Sequence, residues 1–231
     1  MSASQVEESD RRVRKFVFDY FLSSTFAPSL EEIVRGCSLG REQTLAALLR
    51  LESGRHLKML PGTERLLMAF PFSAVATPYR VTRPNQQRYF ANCAWDAVAF
   101  YPMLREPVTI DSFCHHCGDD IHFQLPGAPA GKPVGTQPIL HLALPASEWW
   151  ADIVLACSNT MVFFESESHL KAWNESDSMH GGASLTLRQV VQLSEPIYSR
   201  KLELDYARPS RAELQAHFDR MGLTGDSWRL K

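Results

Sequence analysis

Apolar positions recur at helical spacing along the first fifth of the chain. Val13, Phe16, Val17, Tyr20 and Phe21 share one face of residues 11–23, which predicts an amphipathic helix. Pro28-Ser29-Leu30-Glu31-Glu32 then offers a capping serine with a glutamate three positions on, ahead of Ile33 and Val34. This predicts a second helix ending near Gly36-Cys37. Leu45, Leu48, Leu49 and Leu51 mark a third over Arg41–Leu51. Leu57–Leu60 and Leu66–Phe70, around Pro61-Gly62, read as two strands and a turn. Three short helices and a β-wing make a winged-helix-like pattern.

From Pro71 onward the pattern shortens to β-like segments punctuated by proline and glycine. Tyr79–Val81, Val108–Ile110, Ile121–Leu125, Ile139–Leu144 and Thr160–Phe164 are predicted strands. Ala91–Leu104, Ser166–Asn174 and Ser210–Met221 are predicted helices, and residues 126–138, rich in proline and glycine, a loop. Short connections favour antiparallel pairing. The fold class expected is α+β, with a winged-helix-like N-terminal domain over residues 1–80 and an α+β domain with mostly antiparallel strands over 81–231.

Composition narrows the function. The 231 residues are 45% hydrophobic, enough for a sizeable core, and the net charge of −2 supplies no basic field for nucleic acid or anionic membrane. No run approaches the roughly 18 apolar residues of a membrane span, and Met1–Asp10 is polar and acidic, unlike a secretion signal. A cytoplasmic protein is expected. Its five cysteines, Cys37, Cys93, Cys114, Cys117 and Cys157, are odd in number and widely spread, which argues for reduced thiols.

The chemistry concentrates in Tyr89-Phe-Ala-Asn-Cys-Ala-Trp-Asp96. Residues three apart on a helix share a face, so Cys93 and Asp96 would point into one volume, with Trp95, Phe100 and Tyr101 available to shield it. That sets a soft nucleophile beside a proton carrier. The plain alternative is a half-buried cysteine near a capping or surface aspartate.

Several ordered segments resemble the alkylmercury lyase family. They are Ala69–Ala74 with Pro78–Val81, Tyr89–Asp96 with Pro102, Val108–Cys114 followed by Gly118, and Cys157 before Phe163–Trp173. The resemblance spans residues 69–174, and the winged-helix-like start agrees with that family's architecture. It implies protonolysis of a carbon–mercury bond, with Cys93 and Cys157 binding mercury and Asp96 relaying the proton. Thiolate suits so soft a cation, and an enclosed carboxyl group can be tuned to carry a proton. No cofactor is implied, because mercury belongs to the substrate. The partners implied are a small organometal and thiol donors, with neither nucleic acid nor membrane. An ungapped alignment from Phe163 places Ser158 opposite the family's second cysteine, whereas Cys157 fits with a one-residue shift. On a strand, such a slip would turn the thiol to the other face unless a bulge absorbs it.

Other candidates rank lower. Cys114-His115-His116-Cys117, with His122 nearby, carries two soft ligands at zinc-like spacing but has no second pair, and adjacent histidines on an extended chain diverge. The resemblance makes Cys114 structural and leaves Cys117 without a role. Trp149-Trp150 and Cys37 read as packing residues, His141 as a core-edge residue, His169 as a surface residue, and Arg11–Lys15 as a solvated helix face. A cysteine hydrolase lacks a histidine at a recognisable spacing. Two other readings stand beside the lyase: a noncatalytic soft-metal-binding or metal-sensing protein on the same fold, and a DNA-binding regulator using Arg41, Arg50 and Arg55.

Overall fold

The computed structural model describes residues 8–127, 137–176 and 182–230. Most of the predicted 126–138 loop and the acidic start of the chain therefore lie outside the described residues. The chain opens with α1 (Glu8–Ser24), α2 (Leu30–Cys37) and α3 (Arg41–Ser53). Ser29 and Glu32 form the capping box that the sequence signals: the Glu32 amide donates to Ser29 Oγ, and Glu32 Oε2 accepts from the Ser29 amide at 2.7 Å. Gly36 lets α1 and α2 approach closely, since a Cβ there would lie 1.9 Å from the Phe16 ring. An antiparallel sheet follows, of β1 (Lys58–Met59), β2 (Leu66–Ala69) and β3 (Phe72–Ser73) in that order.

Arg11–Lys15 departs from the expected solvated face. Arg14 is buried, and its guanidinium donates to the carbonyls of Lys201, at 2.6 Å, and Glu203. Those carbonyls come from a C-terminal turn 187 residues or more downstream, a partner that no local pattern reveals.

Two further antiparallel sheets build the rest. One runs β5 (Arg88–Phe90), β4 (Arg80–Thr82), β6 (Val108–Phe113), β7 (Asp120–Leu125). In β7 burial alternates, with Ile121, Phe123 and Leu125 inward and Asp120, His122 and Gln124 outward, the period of a sheet packed on one face. The other sheet places β8 (Ile139–Leu142) between β10 (Ala183–Thr186) and β9 (Met161–Phe164).

Helix α4 (Ala94–Leu104) passes through the centre and is buried continuously from Ala94 to Phe100, as its nearly unbroken apolar sequence requires. Beside it lies α7 (Leu187–Tyr198), opened by a Thr186–Gln189 capping box. Short α5 (Ile153–Leu155) runs into a single π-helical turn at Ala156–Thr160. Helices α6 (Glu167–Ser176) and α8 (Arg211–Arg220) complete the chain. The two halves share one apolar core: Phe72 packs edge-on to Phe18, Tyr89 and Phe100 and stacks on Phe21 at 5.0 Å. Truncating a ring so enclosed costs about 3–5 kcal/mol. Among the described residues, no helix is long and apolar enough to cross a membrane.

Candidate active site

Cys93 stands just ahead of α4, not inside its first turn. Its backbone is extended (φ −153°, ψ 179°), and its sulfur accepts the Asp96 amide at 3.3 Å, so the thiol itself caps the helix. The predicted start at Ala91 is therefore three residues early, and Cys93 and Asp96 meet as cap and third helical residue. The Asp96 carboxylate is gripped from two sides. Tyr198 donates to Oδ1 at 2.6 Å and the Asn92 amide to Oδ2 at 2.9 Å.

Cys157 approaches from the opposite wall, within the π-helical turn and not on the expected strand. A π turn takes one more residue than an α turn, so it absorbs a one-residue offset without reversing a face as a slipped strand would. Cys157 is buried, while Ser158 is exposed, its hydroxyl directed to the Leu155 carbonyl at 3.4 Å. The two thiols and a carboxylate oxygen of Asp96 lie within 4.8 Å of one another. Met161, first residue of β9, adds a thioether 3.8 Å from Cys93 Sγ.

These groups line a cavity of about 330 Å³. Trp95, Phe70, Trp149, Trp150 and Ile153 supply apolar wall; Arg55, Arg208 and Arg211 supply a cationic rim. Arg55 and Arg208 both stand over the Trp150 ring, at 5.0 and 4.7 Å from its centroid. Trp149 and Trp150, expected only to pack, thus line the cavity. Of the three aromatics expected to shield the pair, Trp95 lines the cavity and anchors to Ser194 at 2.8 Å, whereas Phe100 packs the far core and half-buried Tyr101 does not line the cavity.

Burial dominates the electrostatics. It raises the Cys93 thiol well above the ordinary thiol range, with Cys157 and Asp96 adding to the effect. The hydrogen bond with Cys93 pulls Cys157 down, but burial and the Asp96 charge outweigh it, and the net shift is upward. Desolvation likewise raises Asp96, opposed by the donors Tyr198 and Asn92. The enclosure thus disfavours the charged form of all three groups, the two thiolates and the carboxylate alike.

The other sequence candidates lie elsewhere. Cys37 is buried beneath α1, and His141 is buried against Ser184 at 3.1 Å. His122 pairs with Asp111 at 2.7 Å. His169, expected at the surface, is half-buried beside Cys114 and Cys117. Burial pushes the Cys114 thiol up, but backbone donors from Cys117 and Glu165 and the His169 ring outweigh it and bring it to about 7. Tyr198, Asn92, Met161 and the arginine rim carried no signal in the sequence beyond Asn92 standing next to Cys93.

An α+β fold that closes two thiols and a carboxyl group over a cavity has the donors for a soft cation beside a proton carrier. The alkylmercury lyase (MerB) family model matches residues 72–199, over half of the chain, and the chain belongs to that family, whose enzymes cleave carbon–mercury bonds. The solved structures include the mercury-bound form of MerB2, similar at a TM-score of 0.61 and 17% identity over 85% of this chain and 90% of that one. No curated protein matches the sequence.

Proposed function

We propose that this protein cleaves organomercurials by protonolysis, with Cys93 and Cys157 taking the mercury and Asp96 relaying the proton. The observation that carries the reading is the closure of these three groups to within 4.8 Å at one buried end of the cavity. The thiol Cys93 displaces the substrate's leaving group X from R–Hg–X, and its proton leaves as HX. Cys157 then gives its proton to the Asp96 carboxylate and its sulfur to mercury. Two thiolates push electron density onto mercury and hence onto the bound carbon. Asp96 passes the proton to that carbon, the carbon–mercury bond breaks, R–H departs, and mercury(II) stays between two sulfurs. The sum is R–HgX plus two thiols giving R–H, HX and a mercury bis-thiolate, balanced in atoms and charge. A small thiol donor would then withdraw the metal by exchange.

The apolar wall of Trp149, Trp150 and Phe70 suits a hydrocarbon group. The segment before residue 80 contributes Arg55 and Phe70 to the cavity, so we assign it a structural role in closing the site. The arginines considered for DNA support this: Arg41 is paired with Glu31 and Glu64, Arg50 with Asp10 at 2.7 Å, and Arg55 faces the cavity rim. The test is incubation with an aryl- or alkylmercury compound in excess thiol, measuring hydrocarbon and inorganic mercury together. Stoichiometric release of both is expected; mercury uptake without hydrocarbon would reject catalysis.

A further inference from the structure

A second group of soft donors meets on the far side of β9, where the β6–β7 turn abuts the start of α6. Cys114-His-His-Cys117-Gly118 makes that turn. The Cys114 amide donates to the Asp119 carbonyl and the Gly118 amide to the Cys114 carbonyl, both at 2.8 Å, and Gly118 takes the left-handed conformation at φ +81°. So tight a turn brings the two thiols to one side. Helix α6 delivers His169 onto them, with Nδ1 3.5 Å from Cys114 Sγ and 3.6 Å from Cys117 Sγ.

One ring nitrogen within reach of both sulfurs fits a hydrogen bond shared between them, and it equally fits a common metal ion. Ligands of a tetrahedral zinc ion, with Zn–S about 2.3 Å and Zn–N about 2.0–2.1 Å, hold sulfur and nitrogen about 3.6 Å apart on every edge. Near-equal spacing of Nδ1 from both sulfurs is the pattern of three donors around a shared point. Glu165 lies beside this set without joining it: its Oε2 is 3.7 Å from His169 Nδ1, but its carboxylate groups with Cys117 and Asp119 and not with Cys114. Its amide also donates to Cys114 Sγ at 3.5 Å, the support that metal-bound thiolates receive from their outer shell. The neighbouring histidines are directed elsewhere. His115 packs edge-on to Phe164 and Trp173, and His116 lies over the His169 ring at 5.4 Å.

We propose that Cys114, Cys117 and His169, whose ligand atoms all lie within 4.8 Å of one another, form a zinc-type site separate from the mercury-handling thiols, with a solvent molecule as the fourth ligand. Its protein ligands come from the β6–β7 turn and α6. A divalent ion there ties these two elements together behind the strand whose first residue, Met161, faces Cys93. The site stands independently of the lyase reading.

The test is the metal content of the full-length protein purified from zinc-supplemented cells. One zinc per chain is expected in the natural protein and in the Cys93→Ser/Cys157→Ser double variant, with near-complete loss in Cys117→Ser and in His169→Ala. Circular dichroism checks that the variants fold. Cobalt(II) substituted into the site should give thiolate-to-cobalt charge transfer and tetrahedral visible bands in the natural protein but not in Cys117→Ser. A zinc-free natural protein, zinc retained in both Cys117→Ser and His169→Ala, or a Cys114–Cys117 disulfide found by thiol titration would each overturn the proposal.

Discussion

Tyr198 donates its phenolic hydrogen to Asp96 Oδ1 at 2.6 Å, and both residues are buried beside Cys93. This bond lowers the carboxyl pKa against a larger desolvation that raises it. Removing it in Tyr198→Phe should raise Asp96 further and make it a weaker acid toward the substrate carbon. Hydrogen bonds to charged groups are worth about 1.5–3 kcal/mol, so protonolysis should slow about tenfold or more, with its pH profile moved upward. Mercury capture should not change. Single-turnover hydrocarbon release across pH measures this, and an unmoved profile would deny Tyr198 a positioning role.

Capture and turnover should separate between two variants. Cys93→Ser replaces a soft donor with a hard one, and cleavage should fall by several orders of magnitude. Asp96→Asn keeps both sulfurs but cannot exchange a proton at neutral pH, so one mercury should still bind while hydrocarbon release slows by about 100-fold or more. Mercury stoichiometry beside gas or arene release distinguishes them. Undiminished turnover in Cys93→Ser would remove the mechanism.

How much of this was legible in the sequence depended on whether the signal was local. Ser29 and Glu32 carry their capping box three residues apart, and β7 carries its own alternation, so both elements could be read from short windows. Cys93 and Asp96 also stand three apart and were legible as a pair, although the cap geometry was not. Helix α7 went unread although Leu187, Val190, Leu193 and Ile197 keep helical spacing behind a Thr186–Gln189 capping box; Pro196 near its end reads locally as a breaker, and Tyr198 was missed with it. The setting of Cys157 was misread because a π turn has no composition of its own. Arg14 and His169 were misplaced for one reason: their partners lie 187 and about 50 residues away.

The π turn gives opposite expectations for two adjacent residues. Cys157 is buried toward Cys93, so Cys157→Ser should leave a monothiol site and reduce cleavage by about two orders of magnitude or more. Ser158 is exposed and bonded only to a carbonyl, so Ser158→Ala should stay within about 0.5 kcal/mol of the parent stability and retain activity. Parallel turnover assays and thermal melts decide it. A reversed pattern would mean that Ser158 holds the second ligand position.

Burial raises both site thiols, so their thiolate fractions at neutral pH are small. If deprotonation precedes capture, the capture rate should climb about tenfold per pH unit through neutrality and past the ordinary thiol range. Stopped-flow capture by the Asp96→Asn variant isolates this step. A plateau reached below neutral pH would show that a thiolate already stands in the free protein.

Lys201 is fully buried, its amine 5.0–5.6 Å from the Phe18, Tyr198 and Tyr206 ring centroids and without a hydrogen-bond partner among the described residues. Burial lowers its pKa well below 10.5, and Arg208 and Arg14 push the same way. Between that lowered value and 10.5 the unfolded chain binds a proton that the folded chain rejects. Stability must therefore rise with pH across this window, by up to about 1.4 kcal/mol per unit, and level off above 10.5. Lys201→Met keeps the volume among the rings and removes the titration. The variant should be more stable at neutral pH by about 1–3 kcal/mol, with a flatter stability–pH curve. Urea unfolding at a series of pH values measures both. A variant less stable than the parent at neutral pH, with an unchanged slope, would mean that Lys201 is charged in the fold and held there by Asp96.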